Sequence, residues 1–158
     1  MNESHVQIGS VSHGTLRNED LIPVFFDLLC DIDSKRAIKD FSTDVDMFAE
    51  NADEDGNYSD EDQEEISYVV EEMMDALDEY APPYMYFGAH QGDGSDFGFW
   101  LDHDSIEMAV QDRELLSFDD DYPDDWFKGE WLHVNDHGNM TLYYAVGNGE
   151  HKEIWSVV

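Results

Sequence analysis

Charge distribution constrains this chain more strongly than any other feature of its sequence. Residues 40–127 contain 29 Asp and Glu residues and a single base, Arg113, so this segment carries −28 of the total formal charge of −32. The flanking segments, 1–39 and 128–158, carry −2 each, whereas adaptation to high salt would acidify the whole surface. Because self-repulsion of this size opposes compaction, a stable fold must keep these carboxylates in water around an apolar core. The shortage of Lys and Arg also argues against direct binding to DNA, RNA or an anionic membrane.

The rest of the composition predicts a folded protein rather than a disordered one. Hydrophobic residues make up 41% and aromatic residues 13% of the 158 positions, more than is typical of a disordered acidic chain. The one cysteine, Cys30, permits no intrachain disulfide, and we expect it in the core. The N-terminus lacks a secretory signal, and no apolar run approaches the ~20 residues that span a bilayer. We therefore expect one soluble, cytoplasmic acidic domain over residues 1–158, with 1–14 loose.

Hydrophobic periodicity predicts helices in the first half of the chain and mainly strands in the second. Apolar residues recur at helical spacing over 18–33, more weakly over 34–51, and most clearly over 59–80. Pro82 and Pro83 end the last of these helices, and the period then becomes that of strands. A short helix is predicted over 102–116, and strands over 84–90, 97–101, 130–135, 140–146 and 153–158. This order indicates an α+β fold, with N-terminal helices packed on a C-terminal antiparallel sheet of about four to five strands.

Four segments of the chain carry a resemblance to a known group of proteins. They are GTLRNEDLIPVF, PPYMYFGAHQGDGSDFGFW, EWLHVNDHGNMTLYYA and EIWSVV, whereas residues 34–80 match mainly in being acidic. In these motifs the chain resembles an uncharacterised family of small acidic proteins from bacteriophages and related mobile elements. The resemblance implies a phage or mobile-element origin and a place in the cytoplasm of an infected bacterial host, but no particular chemistry. It makes interference with a host nucleic-acid enzyme a natural class of function to consider, by association only.

The helix predicted over 59–80 carries the main candidate site. With its apolar stripe inward, its carboxylates lie on the outer arc, about 5–6 Å apart at i, i+3 and i+4. Such a helix is roughly 30 Å long, and each strand of duplex DNA presents one phosphate per roughly 3.4 Å. This helix, the loop before it and the acidic segment near residue 120 therefore form a predicted partner-binding surface that imitates nucleic-acid charge. Its residues are Asp53, Glu54, Asp55, Asp60, Glu61, Glu64, Glu65, Glu71, Glu72, Asp75, Asp78, Glu79, Asp119, Asp120, Asp121, Asp124, Asp125 and Trp126.

This surface predicts a basic partner. It should attract a groove lined with Lys and Arg and speed association, and Tyr58, Tyr68, Tyr122 and Trp126 are candidate aromatic anchors. We expect a monomeric or dimeric nucleic-acid-mimicking inhibitor. Its target would be the basic groove of a host DNA- or RNA-processing enzyme, of the restriction, CRISPR or repair type. The alternatives are an acidic interaction module for a basic partner that does not bind nucleic acid, and a merely solvated helix face.

Residues 51–62 suggest a further alternative, a calcium-binding domain. Asn51, Asp53 and Asp55 take the first, third and fifth positions of an EF-hand loop, Gly56 the sixth and Asp62 the twelfth. However, Asn51 replaces the usual first Asp, and Asp62 replaces the bidentate Glu. In a chain this acidic such a spacing arises readily by chance. We therefore expect weak divalent association rather than a specific metal site.

We expect no catalytic site and no cofactor. His133 and His137 lack the three or four converging ligands of a transition-metal site, and residues 136–139 are explained as a turn. The glycine-rich connection 91–96 contains no Lys and lacks P-loop spacing, so it does not predict a phosphate site. Because no nucleophile–base pair stands out, the chain is not expected to be an enzyme.

Overall fold

A computed structural model describes residues 6–158, which fall into two compact units that meet at Trp100 and Leu101 in the sequence. The first unit contains β1 (Gly9–Ser12), α1 (Asn18–Asn51), α2 (Asp60–Asp78), β2 (Met85–His90) and all of β3 (Asp93–Leu101) except its last residue. The second contains α3 (His103–Gln111), β4 (Leu116–Phe118), β5 (Lys128–Val134), β6 (Met140–Val146) and β7 (His151–Val157). The predicted α+β class is confirmed, and the C-terminal sheet has four strands. The single domain over 1–158 stays a prediction. Within the described chain, every helix is too short or too polar to cross a membrane.

Helix α1 covers both helices that the sequence predicts before the acidic loop. It is helical over Asn18–Asn51 except at Asp33 (φ −146°, ψ 84°), which kinks it at the predicted boundary. Asp33 Oδ1 accepts a hydrogen bond from Arg36 N at 3.1 Å and caps the second half of the helix. Its Oδ2 accepts a hydrogen bond from the Tyr80 hydroxyl at 2.9 Å. These bonds lower the pKa of Asp33 and fix the kink beside the end of α2.

Helix α2 begins and ends close to its predicted bounds of 59 and 80. Ser59 is the N-cap: its Oγ accepts a hydrogen bond from Asp62 N at 3.2 Å and donates one to Asp62 Oδ2 at 2.9 Å. The bond from Asp62 N is one half of a capping box, whereas the Asp62 carboxylate accepts from the Ser59 hydroxyl rather than from a backbone N–H. The helix packs against α1 and β2. Its buried stripe consists of Ile66, Val69, Val70, Met73, Ala76 and Leu77.

A three-stranded sheet in the order β1–β3–β2 completes the core of the first unit. Phe25 of α1 is fully buried against it, with its ring 5.3 Å from Phe87 of β2 and 5.6 Å from Phe97 of β3. Both contacts are edge-to-face, the arrangement that aromatic pairs prefer. The predicted hairpin is confirmed, since β2 and β3 are neighbours, but the predicted connection 91–96 is wrong: β3 begins at Asp93, so only residues 91 and 92 join the strands. Phe25 thus joins α1 to both strands of the hairpin.

Strand β1 lies in the segment 1–14 that the sequence analysis expects to be loose. Gly9 and Ser10 pair antiparallel with Phe99 and Gly98 of β3, so residues 9–12 are ordered as a strand. A glycine is needed at position 98, because a Cβ there would collide with the carbonyl of Gly9. Residues 1–5 of the predicted loose segment lie outside the described residues.

The second unit contains a four-stranded sheet in the order β4–β5–β6–β7. Strands β5, β6 and β7 are antiparallel, as predicted, whereas β4 is a short strand that pairs in parallel with β5. Register places Leu132, Leu142 and Trp155 side by side on one face, and Trp131 with Tyr143 on the other. Both faces therefore carry large apolar side chains.

Candidate partner-binding surface

The outer side of helix α2 is a continuous acidic surface. Nine of its 19 residues are Asp or Glu and none is a base. The helix is about 28 Å long, and neighbouring carboxylates at i, i+3 and i+4 stand about 5–6 Å apart. We call this surface the α2 acidic face and define it by eight exposed residues: Asp60, Glu61, Glu64, Glu65, Tyr68, Glu71, Glu72 and Asp75.

Two further predicted surface residues near the C-terminal end of α2 have internal partners. Glu79 forms a bidentate ion pair with Arg36, with N–O distances of 2.7 and 3.1 Å, and this pairing lowers the pKa of Glu79. Asp78 Oδ1 accepts a hydrogen bond from Phe87 N at 2.7 Å. Both carboxylates are exposed, but they hold α2 to α1 and β2. We therefore assign them a structural role at the edge of the surface.

The seven carboxylates of the α2 acidic face lack such partners. Over residues 6–158, the ion pairs of Arg17, Arg36 and Lys39 go to Glu19, Asp40 and Glu79 instead. Like charges at i and i+4 on a helix destabilise it by about 0.2–0.5 kcal/mol per pair. Acidic residues in the first turn gain something from the helix dipole, but those in the last turn do not. Toward the C-terminal end of α2, repulsion between these carboxylates therefore lowers the stability of the fold.

Substitution of Asp75 tests this cost directly. Its neighbours at i−4, i−3, i+3 and i+4 are Glu71, Glu72, Asp78 and Glu79, and it lies in the last turn, where a cation is favoured. Asp75→Lys replaces repulsive pairs with attractive ones. We expect it to raise the free energy of unfolding by about 1–2 kcal/mol at low salt, as measured by urea denaturation. High salt should reduce the gain by screening.

Asp46→Lys is the matched control for this prediction. Asp46 is an exposed residue of α1 whose i±3 and i±4 positions include one acidic residue, Glu50. We expect a gain of less than about 0.5 kcal/mol from it. An Asp75→Lys protein that is no more stable than wild type at low salt would contradict the repulsion.

Tyr68 lies in the middle of the α2 acidic face. Its side chain is 61% exposed, and Glu64, Glu65, Glu71 and Glu72 occupy the four neighbouring positions on the helix. An exposed aromatic ring among carboxylates suits a Lys or Arg side chain, whose aliphatic stem and charge can both be accommodated. Tyr68 is thus the aromatic anchor best placed on this face.

The loop between α1 and α2 uses its acidic residues to hold its own backbone. Asp53 Oδ1 accepts hydrogen bonds from Asn57 N at 2.7 Å and Asp55 N at 3.0 Å, and the bonds from Asn57 lower the pKa of Asp53 most. Asp62 bonds to Ser59 in the helix cap instead. Among residues 6–158, no group of three or more His, Cys, Asp or Glu is placed to hold a metal ion. The four candidate calcium ligands therefore do not form a coordination site here.

The remaining predicted residues lie elsewhere. Glu54 and Asp55 are exposed in the loop before α2, whereas the predicted anchor Tyr58 is partly buried with its ring 6.0 Å from Phe48. Tyr58 therefore belongs to the core rather than to the surface. The acidic segment after β4 belongs to the second unit, and all its predicted binding residues are exposed: Asp119, Asp120, Asp121, Asp124, Asp125 and Trp126.

Backbone hydrogen bonds fix this second acidic segment, 119–125. Phe127 N donates to the Asp124 carbonyl at 2.8 Å, and Gly149 N donates to the Asp125 carbonyl at 2.9 Å. Trp126, at the tip of this turn, is 76% exposed. The segment is therefore an acidic surface of the second unit with its own aromatic side chain.

The sequence analysis missed a cluster of aromatic and histidine side chains on the second sheet. It consists of Phe118, Tyr122, Trp131, His133, Tyr143 and His151, whose ring centroids lie 4.8–6.4 Å apart in the contacting pairs. Alternation along β5 was the available signal, since it places Trp131 and His133 on one face. The contributions of Tyr122 and His151 come from distant parts of the chain and leave no local pattern.

The two histidines singled out from the sequence, His133 and His137, lie beside a shallow depression of about 310 Å³. Its other lining residues are Asp119, Asp120, Asn135 and Asp136. Asn135 Oδ1 accepts hydrogen bonds from the backbone N–H of His137 at 2.9 Å and of Asn139 at 3.0 Å, so the predicted turn is confirmed. His137 thus belongs to a turn.

These surfaces have to be interpreted from their own chemistry. No family model, curated protein or solved structure matches the chain. The family resemblance and the bacteriophage origin that it implies stay predictions. The fold class rests on the structure.

Proposed function

We propose that this protein inhibits a nucleic-acid-binding protein by occupying its basic groove with the α2 acidic face. The observation that carries the proposal is the set of seven exposed carboxylates on a 19-residue helix that has no base. A groove that binds a duplex presents Lys and Arg to a line of phosphates. A helix about 28 Å long covers the length of about eight phosphates of one strand.

The proposed mechanism is competitive and involves no covalent chemistry. The carboxylates of the α2 acidic face take the positions of phosphates, so protein and nucleic acid exclude each other from the groove. Long-range attraction gives fast association that weakens as salt rises. Exposed charge pairs contribute little individually, so Tyr68 is proposed to supply a desolvated contact at the centre of the face.

The proposed target is a restriction, CRISPR-type or repair enzyme of an infected bacterium. This choice depends on the predicted phage origin, because such enzymes are the basic nucleic-acid-binding proteins that a phage would need to block. The acidic segment 119–125 with Trp126 is included as a second contact region. Its contribution is separable, because its residues belong to the other unit.

The test is an affinity capture of the tagged full-length protein from a bacterial host lysate, eluted with a short DNA or RNA duplex. We expect the duplex to release one defined nucleic-acid enzyme, identified by mass spectrometry. Specific partners that stay bound during this elution would favour the acidic interaction module instead. Recovery of only a mixed basic proteome would contradict a built partner site.

A further inference from the structure

The second sheet buries a tryptophan whose hydrogen bond depends on a neutral histidine. Trp131 of β5 is 0% exposed, and its Nε1 donates to Nδ1 of His151 on β7 at 3.1 Å. Gly129, Ala145 and His151 form one register row across β5, β6 and β7, on the same face of the sheet as Trp131. Because an indole nitrogen can only donate, Nδ1 of His151 must accept, and the proton of this imidazole must sit on Nε2.

His133 lies on the same face, but the ring nitrogen through which it is bonded is a donor rather than an acceptor. Its Nε2 lies 3.0 Å from the carbonyl oxygen of Asp119. A carbonyl can only accept, so this nitrogen donates, and it can do so whether the imidazole is neutral or protonated. Protonation therefore preserves the contact of His133 but removes the acceptor that His151 offers to Trp131.

Tyr122 connects this pair to the acidic segment 119–125. Its ring centroid lies 5.2 Å from Trp131, 5.6 Å from His151 and 6.2 Å from His133, on which it stacks. The Tyr122 side chain is 59% exposed, so it forms the outer layer over the buried indole. Tyr122 therefore rests on three rings, and a displacement of Trp131 and His151 removes two of them.

We infer that the Trp131–His151 hydrogen bond is a proton-sensitive clasp that holds the acidic segment 119–125 on the sheet. The clasp is closed while His151 is neutral. When Nδ1 takes up a proton it becomes a donor and faces the indole N–H, which is then buried without an acceptor, an unfavourable arrangement. Trp131 and Tyr122 must then move. Asp119 stays bonded to His133, and the rest of the segment, from residue 120 onward, is released from the sheet.

The groups that face His151 come from the acidic segment and from strands β5, β6 and β7. Tyr122 covers it from the acidic segment, and strand register places Tyr143 and Glu153 on the same face of the sheet. Glu153 is the charged neighbour and attracts an imidazolium, whereas the indole N–H of Trp131 repels one. The other charged residues of these strands lie on the opposite face: Lys128, Glu130 and Lys152.

Nuclear magnetic resonance of the full-length protein tests the clasp. The imidazole carbon shifts report the titration of His151, and exchange of the Trp131 indole proton reports the clasp. Between about pH 7.5 and about pH 5.5, after correction for intrinsic exchange, we expect indole protection to fall about tenfold, as for the loss of one hydrogen bond. The amides of Phe127 and Gly149, which close the segment, should lose protection in parallel.

Two variants separate the clasp from a general effect of acid. His151→Phe has no acceptor, so its indole proton should exchange fast at both pH values. His137→Gln removes an exposed histidine in the turn and should behave as wild type. The inference is overturned if His151 titrates while the indole protection stays constant, or if His151 stays neutral over this range. It is also overturned if His151→Phe keeps the pH dependence of wild type.

Discussion

Replacing Glu64, Glu65, Glu71 and Glu72 together with Gln is expected to weaken binding to the captured enzyme by about 100-fold or more, or about 2.7 kcal/mol. These four residues surround Tyr68 on the α2 acidic face and are exposed. Gln has almost the shape and helix propensity of Glu, so the change removes charge and leaves the helix intact. Affinity is measured by titration at fixed salt, with circular dichroism as the check on folding.

The control is a second quadruple variant, Glu50, Glu107, Glu114 and Glu150→Gln. These are also exposed glutamates, and either quadruple variant changes the formal charge from −32 to −28. We expect the control to bind within about threefold of wild type, because removed charges outside the contact act only through a screened field. Equal weakening by both variants would show that the partner senses net charge, and the helix assignment would be wrong.

Phe25→Ala is expected to lower the free energy of unfolding by about 3–5 kcal/mol. Phe25 is fully buried, and its ring contacts Phe87 and Phe97 on the two strands of the hairpin. A loss of this size is a large part of the about 5–15 kcal/mol that holds a typical domain together. Urea denaturation with linear extrapolation measures it.

The neighbouring residue provides the comparison for this variant. Phe26 is only partly buried at the margin of the same core, so Phe26→Ala removes the same atoms at a smaller cost. We expect about half the loss of Phe25→Ala. If the two substitutions lower the free energy of unfolding by the same amount, the assignment of Phe25 to the centre of the core would be wrong.

Local pattern was sufficient to predict most of the helices and strands. The bounds of α2 differ from the prediction by only one or two residues. They could be predicted because the Ser59 cap and the apolar stripe both depend on residues that are close together in the sequence. The break of α1 at Asp33 likewise coincides with the predicted boundary, since its cap is formed with Arg36 three residues away.

Elements that depend on distant partners could not be predicted in the same way. Strand β1 is ordered by pairing with Phe99 and Gly98, about ninety residues further along the chain. Strand β4 has only three residues and pairs with β5 across the acidic segment. Neither is long enough to show a period of its own.

The candidate site also combines features that local pattern predicts with features that depend on distant partners. Exposure of the α2 carboxylates follows from the helical period and was predictable. The pairing of Glu79 with Arg36, the bond from Phe87 to Asp78 and the burial of Tyr58 depend on tertiary contacts. Sequence also could not show that segment 119–125 belongs to a second unit.

An equilibrium competition titration between this protein and a short duplex, on the captured enzyme, tests nucleic-acid mimicry most directly. Mimicry predicts mutual exclusion: the apparent Kd of the duplex rises in proportion to the concentration of this protein, without a plateau. The Glu64, Glu65, Glu71 and Glu72→Gln variant should lose this effect and the control variant should keep it. A ternary complex, in which enzyme, duplex and this protein are bound together with unchanged affinities, would contradict mimicry.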